Sequence, residues 1–428
     1  MNLSRDEALA MLNAPDRLDA IGRLTADVAA GRLDAPIAGD DVNNHIHTTY
    51  SFSPYSPTAA AWFAYQAGLC TCGLMDHDTI AGAREFLQAA GAVGLGATIG
   101  VECRVSFGDT PFSGRRINNP DQNSVVYMAL HGVPHDAIDQ VNAFFAPLRE
   151  KRNVRNRAMV DGVNRLMGQY GVAIDFDRDV LPLSMYSQGG TVTERHIASA
   201  LSRRMIDVFG AGRPLVAFIV EQLKLPLSAR LEGFLTDPAN PHAMYDLLGF
   251  IKSDLIARFY IDAGDELVDV RQALALSERV GAISAYAYLG DVGDSVTGDK
   301  RSQRFEDAYL DELVPYLKQL GFRAITYMPS RNTREQLRRV RALCERHGLF
   351  QISGEDINSP RQSFVCLAQR DPEFANLLDA TWALIAHEWR STKDRADGLF
   401  SPESQRKWPD LGDRVRAFAA LGREAGGR

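Results

Sequence analysis

The 428-residue chain is short of several things, and each shortage narrows its role. It has no apolar run near the ~18 residues that span a bilayer. Residues 1–12 put Arg5, Asp6 and Glu7 ahead of a short apolar stretch, the wrong order for a signal peptide. Only five cysteines occur, Cys70, Cys72, Cys103, Cys344 and Cys366. Their number is odd and their spacing fits no disulfide framework, so they read as reduced thiols of a cytoplasmic protein. Cys70 and Cys72 lack the second pair that zinc sites use, and their period-2 spacing suits a strand. Positive charge is not in excess either: 47 basic against 54 acidic residues leave a formal net charge of −7. That balance argues against a nucleic-acid polymer as partner, because such binding draws most of its affinity from a basic face. Internal repeats and low-complexity tracts are absent.

What is present is a 45% hydrophobic composition, enough for a sizeable core. At roughly 100–200 residues per domain, the length suggests two or three structural units. Residues 4–35 read as two helices, with Asp16 an N-cap for the second, and residues 1–41 form an N-terminal extension. From Val42 strands and helices alternate: strands at 42–48, 71–75, 96–105 and 124–131, helices at 57–67 and 79–92. This succession predicts a mostly parallel sheet covered by helices. The rhythm breaks in a long helical stretch, read as an inserted domain over 151–265 between barrel parts 42–150 and 266–365. Strands return at 281–288, 321–327 and 349–353, and residues 366–428 form a C-terminal helix followed by a polar tail. Seven or so such units suggest a barrel, whose catalytic groups stand at the C-terminal ends of strands.

Those strand ends carry the chemistry-bearing residues. His45 and His47 end the first strand two residues apart, which puts both imidazoles on one face. Neutral imidazole is a common ligand for zinc, iron and manganese. The second strand ends in Asp76-His77-Asp78-Thr79, where Asp78 reads as a helix N-cap while Asp76 and His77 have no such explanation. Glu102 stands in the apolar third strand, where a carboxylate needs a partner, either a cation or the neighbouring Arg104. The last strand runs into Glu355-Asp356-Ile357-Asn358, with Asp356 and Asn358 on one face.

Together these segments resemble the polymerase and histidinol phosphatase (PHP) superfamily. The likeness rests on His45-Ile46-His47-Thr48, Asp76-His77-Asp78-Thr79, Gly100-Val101-Glu102 and Gly354-Glu355-Asp356-Ile357-Asn358, in the family's order and spacing. It covers residues 42–132 and 281–360 and touches the insertion, where Thr193-Glu194-Arg195-His196-Ile197-Ala198 is similar to a stretch in nucleotide-directed members. The resemblance implies an α/β fold, a distorted (β/α)7 TIM-like barrel with the helical domain inserted. It also implies phosphoester hydrolysis with up to three divalent ions, the first held by residues matching His45, His47, Glu102 and Asp356. Three positions depart from the pattern. Tyr127 stands for a histidine, Ala287-Tyr288-Leu289-Gly290 for an Ala-His-Pro-Gly motif, and Asn358 for the last histidine. The second ion site therefore looks lost and the third keeps only His77. His131, on the strand face of Tyr127, and Asn358 are the weaker ligand candidates.

The expectation is one divalent transition metal (zinc, manganese or iron), with room for a weakly bound second ion. His77 would serve as general acid or base with Asp76 orienting it. Arg195, His196, Tyr288, Lys300 and Arg331 are candidates to bind a small anionic substrate; arginine suits phosphate through its planar fork. Two alternatives stand beside the phosphoesterase: a hydrolase of another ester or amide, and a catalytically weak binding or regulatory protein on the same fold.

Overall fold

The computed structural model describes residues 3–292 and 304–426. Eight strands form one sheet: β1 (Val42–Ile46), β2 (Thr71–His77), β3 (Gly96–Ser106), β4 (Val125–His131), β5 (Val268–Asp269), β6 (Ile283–Tyr288), β7 (Ala324–Tyr327) and β8 (Phe350–Ser353). Their order is β1-β2-β3-β4-β6-β7-β8, with short β5 added to β3. The pairs β1/β2, β2/β3, β6/β7 and β7/β8 are parallel, whereas β4 runs antiparallel to both β3 and β6. No helix separates β3 from β4, and a direct return of this kind reverses the strand. The sheet curls until its edges meet at one bridge, Ile46 to Ile357, just beyond β8. The architecture is thus a curled α/β sheet resembling a TIM-type barrel, not the complete (β/α)7 barrel expected.

Gly354 makes the closure feasible. A Cβ there would lie 2.6 Å from the Cβ of His45, so only glycine lets the chain pass so near β1. Local signals place the surrounding helices. The Ser56 side chain accepts from Ala59 N–H and Pro57 occupies the first turn, opening the helix Pro57–Gln66. Asp16 stands at the N-cap of the helix Arg17–Ala29, but its side chain makes no capping bond.

Three apolar clusters organise the chain. The largest packs the outer faces of the strands under the flanking helices and the two N-terminal helices. A second joins Phe52 to residues of 159–259, among them Met159, Ile197, Leu201 and Phe250. The third fuses the inner faces of β6, β7 and β8 with the helices Ala375–Lys393 and Leu411–Gly426. The end of the chain is therefore not the polar tail expected. Leu411, Val415, Phe418 and Ala419 recur at helical spacing and pack in that cluster, an apolar stripe among charged neighbours. Among the described residues no helix is long and apolar enough to cross a membrane.

The helix Ala375–Lys393 closes the bottom of the curled sheet. Buried Glu388 accepts hydrogen bonds from Thr98 Oγ1 and Ile99 N–H, both 2.8 Å, and its other oxygen lies 2.8 Å from His135 Nε2. His387 Nδ1 accepts from Leu399 N–H at 3.0 Å, and burial pushes this imidazole down to about 4. Two outcomes follow. Glu388→Ala, which strands the Ile99 N–H, is expected to lower stability by about 3 kcal/mol in urea unfolding, and an unchanged midpoint would contradict the seal. Acidification from pH 6.5 to about 4 lowers the melting temperature, because the unfolded chain takes up a proton that the folded His387 ring refuses. His387→Gln should flatten that slope, and an equal slope in both proteins would remove His387 from the account.

Candidate metal centre

β1, β2 and β3 lie side by side and deliver their ends to one place. His77 is the register partner of Glu102, so both side chains emerge on the same face. A register shift between Asn43 and Ile46 turns the end of β1 toward them. The rings of His45 and His47 meet edge to face at 5.0 Å, and His47 stacks on His77 at 4.5 Å. Glu102 Oε2 lies 3.0 Å from His77 Nδ1, 3.6 Å from His45 Nε2 and 3.9 Å from His47 Nε2. The ligand atoms of His45, His47 and Glu102 all lie within 4.8 Å of one another, a grouping able to hold a metal ion. Arg104, the alternative partner for Glu102, turns instead to Glu194 and Glu266, each at 3.6 Å.

A second layer fixes the orientation of His47. Asp76 is fully buried and accepts three hydrogen bonds: Thr48 N–H at 2.7 Å, Thr48 Oγ1 at 2.6 Å and Ser51 Oγ at 2.6 Å. Ser51 donates its hydroxyl hydrogen bond to Asp76, so its oxygen, 3.3 Å from His47 Nδ1, is left to accept the ring N–H. The proton therefore sits on Nδ1, and Nε2 presents a lone pair. That atom is buried without a hydrogen-bond partner. Asp356 Oδ1 lies 3.1 Å away, at a geometry that is not a hydrogen bond. Burial, and then the neighbouring His77, holds the His47 pKa below its ordinary value, so a second proton is disfavoured.

A lone pair facing two carboxylates at 3.1 and 3.9 Å is repulsive unless a cation lies between them. The donor set, two imidazoles and one or two carboxylates, is that of zinc, iron or manganese. The other groups fit the same picture. Burial alone would raise Glu102, but His77 and His45 outweigh it and hold its carboxyl far below the usual range. Burial pulls His45 down, yet Glu102, Asp356 and Glu355 leave it raised overall.

The remaining expectations divide. Asp356 reaches His47 but lies outside the three-residue grouping, and Asn358 Nδ2 donates to its Oδ1 at 2.5 Å. Asn358 is thus a brace for Asp356. His131 shares the inner face with Glu102, two residues beyond its register partner Ala129. Its Nε2 is buried without a partner, and burial, then His45, pushes the ring down to about 3, but it is not part of the grouping. Asp76 does not orient His77, because its oxygens are taken by Thr48 and Ser51. Asp78 opens no helix; it has a left-handed φ of 52° and pairs with Arg152 at 2.5 Å.

Among the proposed substrate groups, Tyr288 packs in the outer cluster and donates to Asp307 at 2.6 Å, so it does not enter the site. His196 Nδ1 caps its own helix by accepting from Thr193 N–H at 3.0 Å, which explains its burial. Arg195 is half-buried in the first turn of the helix Glu194–Phe209, and its charge contributes to lowering the Asp356 carboxyl. Arg331 is half-buried in the loop after β7, and Lys300 lies outside the described residues. Sequence reasoning missed Ser51 and Thr48, although a hydroxyl-bearing run directly after a His-x-His was the available signal. It also missed that Arg152 and Arg155, in the basic stretch of a long helix, are buried against Asp78, Glu194 and Glu266.

Ser51→Ala removes the acceptor for His47 Nδ1–H while leaving every metal-binding atom in place. Its affinity for zinc, read by competition with a chromophoric chelator, should fall about 10–100-fold, the usual cost of losing an outer-shell partner. Wild-type affinity in this variant would show that Ser51 does not set the ring.

Comparison with known proteins gives the fold. No family model and no curated protein matches the sequence. A solved structure of a Bifidobacterium adolescentis protein, assigned as a metal-dependent phosphoesterase, is 20% identical with a TM-score of 0.51, covering 81% of this chain and 98% of that one. An amidohydrolase from Chromobacterium violaceum, solved with bound sulfate and no metal, is 18% identical with a TM-score of 0.49, covering 76% and 90%. At these identities the likeness is one of fold, and the first structure shares it over nearly its whole length.

Proposed function

We propose that the protein is a metal-dependent hydrolase acting on phosphoesters through one divalent ion held by His45, His47 and Glu102, with Asp356 beside them. The observation that carries this reading is the buried His47 Nε2, a bare lone pair aimed at carboxylates. When bound, such an ion supplies Lewis acidity, lowering the pKa of a water from 15.7 toward roughly 7 and polarising the scissile bond.

The chain's own residues do the rest. Glu102 holds His77 at Nδ1, 3.0 Å away, and the His77 side chain stays 27% exposed at the mouth. It is the proton carrier of the site, placed to take a proton from the attacking water or give one to the departing oxygen. Arg195, at the first turn of the helix Glu194–Phe209 and with a charge that acts on Asp356, receives the substrate's anionic oxygens. Buried Asp76 keeps Ser51, and through it His47, in one orientation. A second reading, hydrolysis of a non-phosphate ester or amide, draws on Asn358 being committed to Asp356 and Tyr288 facing outward. A centre with a single ion can polarise a carbonyl as well as a phosphoryl oxygen.

The test is a panel of phosphomonoesters, phosphodiesters, lactones and amides, assayed with manganese, zinc or iron added and again after chelation. Phosphoester turnover should appear with metal and vanish without it. His45→Ala and His47→Ala should each lose at least about 100-fold in rate, as expected when several kcal/mol of charge stabilisation is removed. Turnover that survives chelation and both substitutions would end the metal reading; turnover of amides or lactones alone would favour the second.

A further inference from the structure

The first of the N-terminal helices does more than pack on the sheet: it grips the loop that carries Ser51. The helix Arg5–Asn13 stops because Pro15 follows, which keeps Ala14 extended at ψ 163°. Asn13 is left at the helix end, and its side chain spans the loop after β1. Its Nδ2 donates to Pro54 O at 2.8 Å, and its Oδ1 accepts from Ser56 N–H at 2.8 Å. Ser56 Oγ donates in turn to Leu12 O. From the first turn of the same helix, Arg5 Nη2 donates to the Tyr55 hydroxyl oxygen at 2.6 Å, and its guanidinium lies over the Phe63 ring at 4.9 Å. Pro54, Tyr55 and Ser56 are thus each bonded to one helix.

What the helix grips is a closed and strained loop. Thr49 N–H donates to Tyr55 O at 2.8 Å, which closes the backbone around Ser51. Ser51 N–H and Phe52 N–H both donate to Thr48 O at 3.1 Å. Phe52 has a φ of 130°, a conformation that a non-glycine residue keeps only where its surroundings impose it. On one side the loop is held by Thr191 N–H, which donates to Tyr50 O at 2.8 Å. On the other side the holding bonds are those to Arg5 and Asn13. Between the two stands Ser51, its oxygen 3.3 Å from His47 Nδ1. Tyr55 is fully buried, and its ring lies 5.4 Å from Phe364, in the segment that follows Asp356. Arg5 and Asn13 are themselves exposed, so removing their side chains opens no cavity in the core.

We propose that Arg5 and Asn13 are positioning residues of the metal centre. The N-terminal helix sets the loop, the loop sets Ser51, and Ser51 sets the His47 ring. Neither residue is a ligand, and both stand ahead of the first strand, yet the bare Nε2 of His47 depends on them. The inference rests on the metal reading, and it makes the N-terminal extension a working part of the site.

The full chain carrying Arg5→Ala and Asn13→Ala together tests this by two readouts. In metal-free protein, amide hydrogen exchange over residues 48–56 should be about 5-fold faster than in wild type, the worth of one net hydrogen bond. Zinc affinity, read by competition with a chromophoric chelator, should fall about 5-fold by the same reasoning. Added to Ser51→Ala, the two substitutions should cost no further zinc affinity, because their effect runs through Ser51. Leu24→Ala thins the core under the second helix and leaves every tie to the loop in place, so it should lower the urea midpoint and keep wild-type zinc affinity. Asn13→Asp keeps the acceptor for Ser56 N–H and loses the donor to Pro54 O, so it should fall between wild type and the double variant, and it serves alone if that variant does not fold. Unchanged exchange in the loop overturns the proposal, as does unchanged zinc affinity, an undiminished effect beside Ser51→Ala, or an equal zinc loss in Leu24→Ala. Faster loop exchange in a protein whose wild type takes up no zinc upholds the grip on the loop and sinks the metal reading alone.

Discussion

A buried imidazole whose proton position is fixed from behind is the constraint on which the site depends. Asp76, unable to reach solvent, accepts the hydrogen bond of the Ser51 hydroxyl, and the Ser51 oxygen in turn accepts from the Nδ1–H of His47. The opposite nitrogen, itself buried, is left bare toward Glu102 and Asp356. A cation seated between them would make the arrangement favourable. The remaining features of the centre, including a Glu102 carboxyl held ionised among imidazoles, follow from the same electrostatics.

The fold exists to bring these groups together and to keep the region dry. Parallel β1, β2 and β3 carry the histidines and the glutamate to one end, and the chain after β8 must pass so near β1 that only Gly354 fits. The helix Ala375–Lys393 seals the opposite end through Glu388. Above the mouth, the long helix Ile138–Met167 and the region that follows it are tied down by buried ion pairs: Arg152 to Asp78, and Arg155 to Glu194 and Glu266. Such pairs are costly to break singly, because each would leave a buried charge uncompensated. They hold this helix and the segments around Glu194 and Glu266 against the end of β2.

Much of this was legible in the sequence, and the reasons are local. His45, His47 and Glu102 could be read because strand periodicity puts i and i+2 on one face and because an apolar strand does not tolerate an unpaired carboxylate. Other positions needed three-dimensional information. Asp76 and His77 adjoin in sequence, but successive strand residues point to opposite faces, so Asp76 serves His47 on the neighbouring strand and not its own neighbour. Tyr288 obeys the same alternation and faces outward, where Asp307 takes its hydroxyl. The antiparallel β4, which keeps the sheet from being a regular barrel, left no mark in composition, since a loop and a crossover read alike there. The terminal helix Leu411–Gly426 was hidden by its charge, although its apolar positions keep helical spacing.

The most direct measurement is a crystal structure of zinc-loaded protein with data collected on both sides of the zinc absorption edge. The account predicts one anomalous peak per chain, within coordination distance of His45, His47 and Glu102, with Ser51 still against the His47 ring. No peak there after zinc loading, or a His47 ring turned so that Nε2 donates to a carboxylate, would contradict it.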